Sequence, residues 1–349
     1  MGRGERVLQR LMGTAVIAAL LAGLSDPATA QSTELNLYSA RHYNTDEALY
    51  TEFTRQTGIR INRIELGDEQ LLQRVKAEGA NSPADVILLV DAARLWRAQI
   101  DGLFAPVQSK LLESRVPATL RSNDGSWFGF STRARVIVYN KAAVKAEDVD
   151  SYEALAASKN KGRVCTRSGS HPYMLSLIGS MVERSGETAT EAWARGMVAN
   201  MARPPRGGDT DQIRAVASGE CGVALTNTYY WVRLLRSDDA KDKEAVAKVG
   251  FVWPNQAGSG THVNVSGGGV ARHSPNRANA VKFLEYLASD SAQKYFAEGN
   301  NEWPVVSSAT QNNPALASLG SFKSEKIPVS SVGKGQIAAQ RILDRTGYR

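Results

Sequence analysis

The pattern of hydrophobic and polar positions after residue 31 predicts strands and helices in alternation. Three segments have the alternating or continuous apolar content of strands: Leu35–Tyr38, Ile59–Ile64 and Ala84–Val90. Between them, apolar residues recur at helical spacing, first as Leu49 and Phe53 and then as Leu71 and Val75. This alternation is typical of α/β proteins, so the first part of the chain is predicted to be a βαβαβ unit.

Capping residues predict where two helices begin. Asn44 with Glu47 three positions later is the pattern of a helix N-cap, and Gly58 is placed to end the same helix. Ser274 followed by Pro275 predicts an N-cap and a proline in the first helical position.

The middle of the chain predicts a second β/α series that begins at Gly162 and later returns to the first. The other strand-like segments are Trp127–Phe130, Val136–Tyr139, Val249–Pro254 and Val263–Val270. The first two are predicted to lie near the edge of the first unit. Two crossings, near residues 129–135 and 250–257, predict two lobes with a hinge and a ligand cleft between them.

The N-terminus carries the features of a secretory signal peptide. Arg3, Arg6 and Arg10 precede the apolar run Leu11–Leu24, and small residues follow up to Ala30. We predict a signal peptide over residues 1–30, cleaved after Ala30, and therefore an exported protein. The alternative is a membrane anchor, for which the apolar run is short.

Composition and the absence of several motifs narrow the range of possible functions. Of the 349 residues, 42% are hydrophobic and 22% charged, and the net charge is +7. The basic residues are scattered among acidic ones rather than interleaved with aromatics, so no nucleic-acid partner is predicted. The sequence has no phosphate loop, His-Glu-x-x-His motif, nucleophile elbow or Cys-x-x-Cys, and only four histidines. An enzyme is therefore not expected, and the run Gly267–Gly269 is interpreted as a tight bend or close backbone packing.

The two cysteines, Cys165 and Cys221, have two interpretations. An even count in an exported protein points to one disulfide, and the strand-like segments Arg163–Arg167 and Cys221–Leu225 could bring the sulfurs together as neighbours in a sheet. Two buried free thiols are the alternative.

Tyrosines recur where a predicted strand leads into a predicted helix. Tyr43 follows the first strand, Tyr173 follows the strand that contains Cys165, and Tyr229 and Tyr230 follow the next one. In open α/β sheets these junctions lie at the carboxyl ends of the strands, where ligands bind. Since the first junction belongs to one predicted lobe and the others to the second, the tyrosines are predicted to face each other across the cleft.

A cluster of phenols suits a hard, highly charged cation. A phenol with a pKa near 10 is a poor acid or base at neutral pH, but it becomes an oxygen ligand once a cation displaces its proton. Four phenolates with the imidazole of His42 would suit Fe³⁺, whereas zinc prefers His and Cys, and calcium prefers carboxylates. The resulting net charge of −1 could be balanced by nearby arginines, for which the candidates are Arg41, Arg133, Arg135 and Arg203. The alternatives are tyrosines that pack in a core, or an aromatic box for an organic cation such as a polyamine or thiamine.

Seven segments distributed over the chain carry a resemblance to a known family: Tyr38–Thr45, Ala80–Val86, Trp127–Phe130, Arg133–Val136, Asn227–Tyr230, Gly260–Gly267 and Ser274–Arg277. With them, the sequence resembles the periplasmic ferric-iron-binding proteins of ABC-type iron uptake systems, in particular the subgroup of cyanobacterial iron-binding proteins.

This resemblance implies a two-lobed periplasmic-binding-protein fold of type II, with transferrin-like lobes and the ligand cleft between them. It implies a monomer in the periplasm that closes on Fe³⁺ and delivers it to a membrane permease driven by an ATPase, without catalysis. The family's ligand positions fall on His42, Tyr43, Tyr173, Tyr229 and Tyr230, and the resemblance also favours the Cys165–Cys221 disulfide. The alternative function is a binding protein of the same fold for a polyamine, thiamine or an anion.

The chain is expected to divide into a first lobe of residues 31–131 and 257–306 and a second lobe of residues 132–256. Residues 307–349 are expected to form a C-terminal helical segment that packs on the lobes.

Overall fold

The computed structural model describes residues 33–41, 43–309 and 312–349. The predicted signal peptide and the candidate ligand His42 therefore lie outside the described residues. Glu34–Arg349 forms one compact unit. Within the described ranges, no helix is long and apolar enough to cross a membrane.

The strands of this unit are Glu34–Ser39 (β1), Arg60–Glu65 (β2), Val86–Leu89 (β3), Phe128–Asn140 (β4), Val164–Cys165 (β5), Val223–Asn227 (β6), Val249–Val252 (β7), Val263–Val270 (β8) and Trp303–Pro304 (β9). The helices of the first half are Asp46–Thr57 (α1), Asp68–Glu78 (α2), Ala92–Ile100 (α3), Lys110–Arg115 (α4), Tyr152–Leu155 (α5), Pro172–Asn200 (α6) and Asp209–Ser218 (α7). Those of the second half are Thr228–Leu235 (α8), Ala240–Lys248 (α9), Arg277–Leu287 (α10), Asp290–Glu298 (α11), Pro314–Ala317 (α12), Val329–Lys334 (α13) and Gln336–Thr346 (α14).

The first five elements form the predicted βαβαβ unit. β1 pairs in parallel with β2 on one side and with β3 on the other. Helices bury their apolar stripe against this sheet, and Phe53 of α1 meets Phe283 of α10 edge to face, with ring centres 5.0 Å apart. The periodicity of the sequence therefore predicted this unit correctly.

A single long strand joins the two halves of the sheet, whose order is β2-β1-β3-β8-β4-β6-β5. β4 pairs with β8 up to Ala134 and with β6 from Arg135 onward. The two segments predicted near the edge of the first unit form one continuous strand. β8 separates this strand from β3, and it lies at the centre of the whole sheet. Val136, Ile137 and Val138 are fully buried, as a strand covered on both faces requires.

The second connection between the halves runs through residues 253–262, from the end of β7 to the start of β8. It lies slightly later than the predicted 250–257, because β7 stays paired with β4 up to Val252. The structure is thus a two-lobed α/β fold. The chain passes between the lobes within β4, again through residues 253–262, and a third time after β9, since α12 and α14 pack against α8 and α6.

The first predicted helix start is wrong by one residue. The N-cap position of α1 is occupied by Thr45 rather than Asn44, and no side chain caps the helix there. The Thr45 hydroxyl instead forms a hydrogen bond with the Asn300 side chain. A distant tertiary contact therefore takes up the hydroxyl that could have capped the helix.

The predicted start of α10 is also wrong. Asn276 rather than Ser274 occupies the N-cap, and Pro275 lies outside the helix. The Ser274 hydroxyl donates to the Asp85 carboxylate at 2.7 Å, and the Asn276 backbone N–H donates to the same oxygen at 2.7 Å. The buried carboxylate therefore holds this segment outside the helix.

The glycine run Gly267–Gly269 lies inside β8, where it allows close approach of neighbouring backbones. A Cβ on Gly268 would lie 2.5 Å from the Ile87 carbonyl oxygen, and one on Gly269 would lie 2.1 Å from that of Ser126. Of the two predicted interpretations, close packing is confirmed.

The structure confirms the predicted disulfide between Cys165 and Cys221, whose Cα atoms are 5.8 Å apart. Cys165 ends β5, which pairs in parallel with β6, and Cys221 lies just before β6. The bond closes a loop with a sequence separation of 56 residues.

Replacing both cysteines with alanine is expected to lower the free energy of unfolding by about 2–5 kcal/mol, because the open loop gains conformational freedom in the unfolded chain. Urea unfolding followed by circular dichroism would measure the change. The reduced wild type is the control and should unfold at a similar urea concentration. An unchanged midpoint in the double variant would contradict a stabilising role for the bond.

The last two helices complete the core of the second lobe. α14 packs along α6, and α13 packs against both α3 and α6. The Tyr348 hydroxyl donates to the Thr166 hydroxyl at 2.9 Å, and the Gly169 backbone N–H donates to the Arg349 carbonyl at 3.0 Å. The final residues therefore pack against the segment that leads from β5 into α6.

Candidate metal centre

Four tyrosines from three strand-to-helix junctions come together in the structure. Tyr43 lies between β1 and α1, Tyr173 lies in the first turn of α6, and Tyr229 and Tyr230 lie in the first turn of α8. The hydroxyl oxygens of Tyr173 and Tyr229 are 3.0 Å apart. The Tyr229 ring lies 5.9 Å from that of Tyr43 and 4.2 Å from that of Tyr230, centre to centre. The tyrosines thus converge where the junction argument placed them.

Local capping sets the direction of these side chains. Pro172 is in the first turn of α6, and the N-cap residue His171 accepts a hydrogen bond from the Tyr173 backbone N–H through Nδ1 at 3.2 Å. The N-cap of α8 is Asn227, whose backbone N–H donates to the buried Asp209 carboxylate at 2.7 Å. Fixed helix starts hold the tyrosines of both helices at the cleft.

Burial changes the acid–base behaviour of the phenols. Removal from water raises the pKa of Tyr43 and Tyr229 well above the usual value, and neighbouring groups, Glu302 for Tyr43 and Tyr173 for Tyr229, raise them further. Burial likewise raises the pKa of Tyr173. These three phenols therefore keep their protons at neutral pH unless a cation displaces them.

Guanidinium groups lie over three of the four rings. The Cζ atom of Arg41 lies 4.8 Å from the ring centre of Tyr43. The Cζ atom of Arg233 lies 5.3 Å from the ring centre of Tyr230. The Cζ atoms of Arg133 and Arg167 lie 5.7 and 5.0 Å from the ring centre of Tyr173. Their positive charge stabilises any negative charge that develops on the phenol oxygens. The sequence pointed to Arg41 and Arg133 but missed Arg167 and Arg233.

The other two predicted arginines, Arg135 and Arg203, form their hydrogen bonds and ion pairs with residues other than the four tyrosines. Arg135 donates to Asp209 at 2.5 Å and to Asn227 at 3.1 Å, so it supports the start of α8 from behind the tyrosines. Arg203 pairs with Glu220 at 3.0 Å and donates to Gln212 at 3.1 Å. The structure does not bring Arg203 together with the tyrosine cluster.

A buried carboxylate, which sequence reasoning missed, adjoins the cluster. Glu302 is fully buried, accepts a hydrogen bond from the Tyr43 hydroxyl at 3.3 Å, and accepts another from the Ser131 hydroxyl at 2.7 Å. Arg41 and Arg133 lie 3.7 and 3.9 Å from it. The two guanidinium groups compensate its negative charge. No local signal could have found it, since it is 259 residues from Tyr43.

A histidine also lies beside the tyrosines. The His171 ring lies 4.5 Å from that of Tyr173, and burial together with the nearby Arg167 lowers the pKa of His171 to about 3, so its imidazole is neutral. Among the described residues, no group of three His, Cys, Asp or Glu side chains could hold a metal ion. The neutral imidazole of His171 is in the protonation state in which histidine binds metals.

A cavity of about 460 Å³ adjoins the cluster. It is lined by residues of both lobes, among them Arg41, Glu65 and Asp68 from the first and His171 and Tyr173 from the second. Tyr173 thus lines the cavity, whereas Tyr43, Tyr229 and Tyr230 do not.

One protein family matches most of the chain. The family model described as bacterial extracellular solute-binding protein matches residues 48–323. Iron uptake protein A1 of Synechocystis is 53% identical over 319 residues, which cover 91% of this chain and 88% of that protein. The major ferric iron-binding protein of Neisseria meningitidis is 27% identical over 344 residues, or 96% of both chains.

A solved structure has the same fold. The Trichodesmium protein described as IdiA or FutA, in complex with iron and citrate ligands, superimposes with a TM-score of 0.86 at 51% sequence identity. The match covers 90% of this chain and all of that one.

Proposed function

The chain belongs to the family of bacterial extracellular solute-binding proteins, and from that membership we propose that it is the periplasmic substrate-binding component of an ABC importer and carries ferric iron. It is a solute-binding protein rather than an enzyme. Its relatives are named for iron uptake and ferric iron binding, and one related structure holds iron and citrate.

We propose that Tyr43, Tyr173, Tyr229 and Tyr230 hold the iron as phenolates, with His42 as a further ligand. The observation that carries this assignment is the convergence of four phenols from both lobes, with the Tyr173 and Tyr229 oxygens 3.0 Å apart. Ferric iron is a hard cation that binds such oxygens well once their protons leave. Closure of the lobes supplies ligands from both sides.

The charge around the cluster favours iron over an organic cation. Four phenolates with Fe³⁺ carry a net charge of −1, which the guanidinium groups of Arg41, Arg133, Arg167 and Arg233 can balance. A polyamine or thiamine would instead place its positive charge among the same guanidinium groups beside neutral phenols. Part of the guanidinium charge is already paired, because Arg41 contacts Asp46 and Glu302, and Arg133 contacts Glu302. Arg167 likewise pairs with Asp209.

We further propose how the chain is processed, which transporter subunits it meets and where its two lobes divide. Residues 1–30 are removed as a signal peptide, and the mature monomer delivers iron to a permease and its ATPase. The first lobe comprises 31–131 and 257–306, the second comprises 132–256, and 307–349 packs on both. The exchange of β4 partners between Ala134 and Arg135 supports the lobe boundary near residue 131.

Titration of the purified mature protein with chelated Fe³⁺, followed by visible absorption, tests the function. We expect a charge-transfer band from tyrosinate to iron that saturates at one iron per chain. A protein that stays colourless would overturn the proposal, and thermal-shift screening with polyamines and thiamine would then test the organic-ligand alternative.

A further inference from the structure

A buried hydrogen bond connects the two proposed lobes beside the tyrosine cluster. The Ser176 hydroxyl on α6 donates to Oδ1 of Asp91 at 2.6 Å, and both residues are fully buried. Asp91 follows β3 at the edge of the first lobe, and Ser176 lies in the second lobe. The contact thus spans the boundary between the lobes.

The first lobe holds the acceptor in place. Oδ1 of Asp91 also accepts from the Ala93 backbone N–H at 2.9 Å, which makes Asp91 the N-cap of α3. Its Oδ2 accepts from the Asn264 side chain of β8 at 2.8 Å. With two bonds from its own lobe, this carboxylate offers a fixed acceptor to Ser176.

The donor is linked to a proposed iron ligand. Ser176 lies three residues after Tyr173 in α6, so the two side chains share one face of the helix. The same helix packs against the second-lobe core, where Met174 and Leu177 are buried. The position of Ser176 relative to Asp91 therefore fixes how near Tyr173 comes to the first lobe.

We propose that the Ser176–Asp91 hydrogen bond is a positioning contact that holds Tyr173 against the first lobe in the closed protein and slows the release of iron. This inference rests on the proposed function. Neither side chain is a ligand, so both act through the placement of Tyr173. Loss of the bond leaves the phenols intact but lets α6 move away from the first lobe.

The test compares Ser176→Ala with Ser180→Ala. Ser180 is also fully buried, lies one turn further along α6, and also donates to a carboxylate, that of Glu325 at 2.5 Å. Release of bound iron to an excess of a strong chelator is followed by the decay of the visible band. We expect Ser176→Ala to release iron about tenfold faster, as loss of a hydrogen bond to a charged group predicts, with the band maximum unchanged. Ser180→Ala should release iron at the wild-type rate.

A second variant and the double variant complete the test. Asp91→Asn keeps the side-chain volume but weakens the acceptor, so it should also accelerate release. The double variant should be no faster than the faster single variant, because both changes remove the same contact. Wild-type release from Ser176→Ala, or equal acceleration by Ser180→Ala, would overturn the inference. A wild-type protein without the band would instead overturn the proposed function.

Discussion

Replacing Tyr229 with phenylalanine is expected to weaken the visible band, because one of four tyrosinates is lost, and to weaken ferric-iron binding by about 100-fold or more, since loss of even an outer partner of a metal ligand typically costs 10–100-fold. Tyr229 is fully buried and its ring lies between those of Tyr43 and Tyr230. Phenylalanine fills the same space but offers no oxygen. Competition with a chelator of known affinity, read from the band, would measure the loss.

The matched control for this prediction is Tyr286→Phe. Tyr286 is also buried and also loses one hydrogen bond, which its hydroxyl donates to the Leu49 carbonyl at 2.9 Å, but it lies in the first-lobe core. We expect this variant to bind iron as the wild type does. If Tyr229→Phe kept both the band and the affinity, Tyr229 would not be a ligand.

Iron binding is expected to release at least three protons per iron near neutral pH. The pKa values of Tyr43, Tyr173 and Tyr229 are raised by burial, so these phenols are protonated in the iron-free protein. Each phenol that becomes a ligand must give up its proton. The apparent affinity should therefore rise with pH, by about tenfold per pH unit for each proton released, and fall correspondingly on acidification.

Calorimetric titration in buffers with different ionisation enthalpies would count the protons. The value must be corrected for protons taken up by the iron chelator, which a titration without protein supplies. Tyr229→Phe should release one proton fewer for whatever iron it still binds. Release of no proton, or only one, would mean that the iron is not held by these phenols.

The convergence of the tyrosines could be predicted because it follows from topology. Tyr43, Tyr173, Tyr229 and Tyr230 each follow a strand, and ligands bind at the carboxyl ends of strands in open α/β sheets. Because β1 and β6 run antiparallel, these ends approach each other from the two lobes. No distance along the chain had to be known for that argument. The βαβαβ unit was predictable for a similar reason, since its pairings are between segments close in sequence.

The rest of the site depends on contacts that sequence spacing does not contain. Glu302 reaches Tyr43 through the packing of α11 and β9, and Arg167 reaches Tyr173 through the turn before α6. Arg203 was proposed from its sequence context, but it pairs with Glu220. Charge compensation in a buried site depends on the three-dimensional position of each group, which local patterns do not specify.

The predictions for the two helix starts and for the position of β4 differ from the structure for a related reason. Asn44 and Ser274 are good caps locally, but the side chains of Asn300 and Asp85 compete for the polar groups near them. The apolar content of β4 was recognised, whereas its central position follows only from the return of β8. Tertiary contacts in each case outweighed a correct local preference.

The packing of α14 on α6 has a consequence for the order in which the chain folds. The second-lobe core contains Ile342 and Leu343 together with Leu177 and Ile178, which lie more than 150 residues earlier. This core stays incomplete until the last helix has been synthesised, and contacts of such long range form slowly. A nascent chain therefore leaves the ribosome with this core still incomplete, and completes it only once α14 is available to pack on α6.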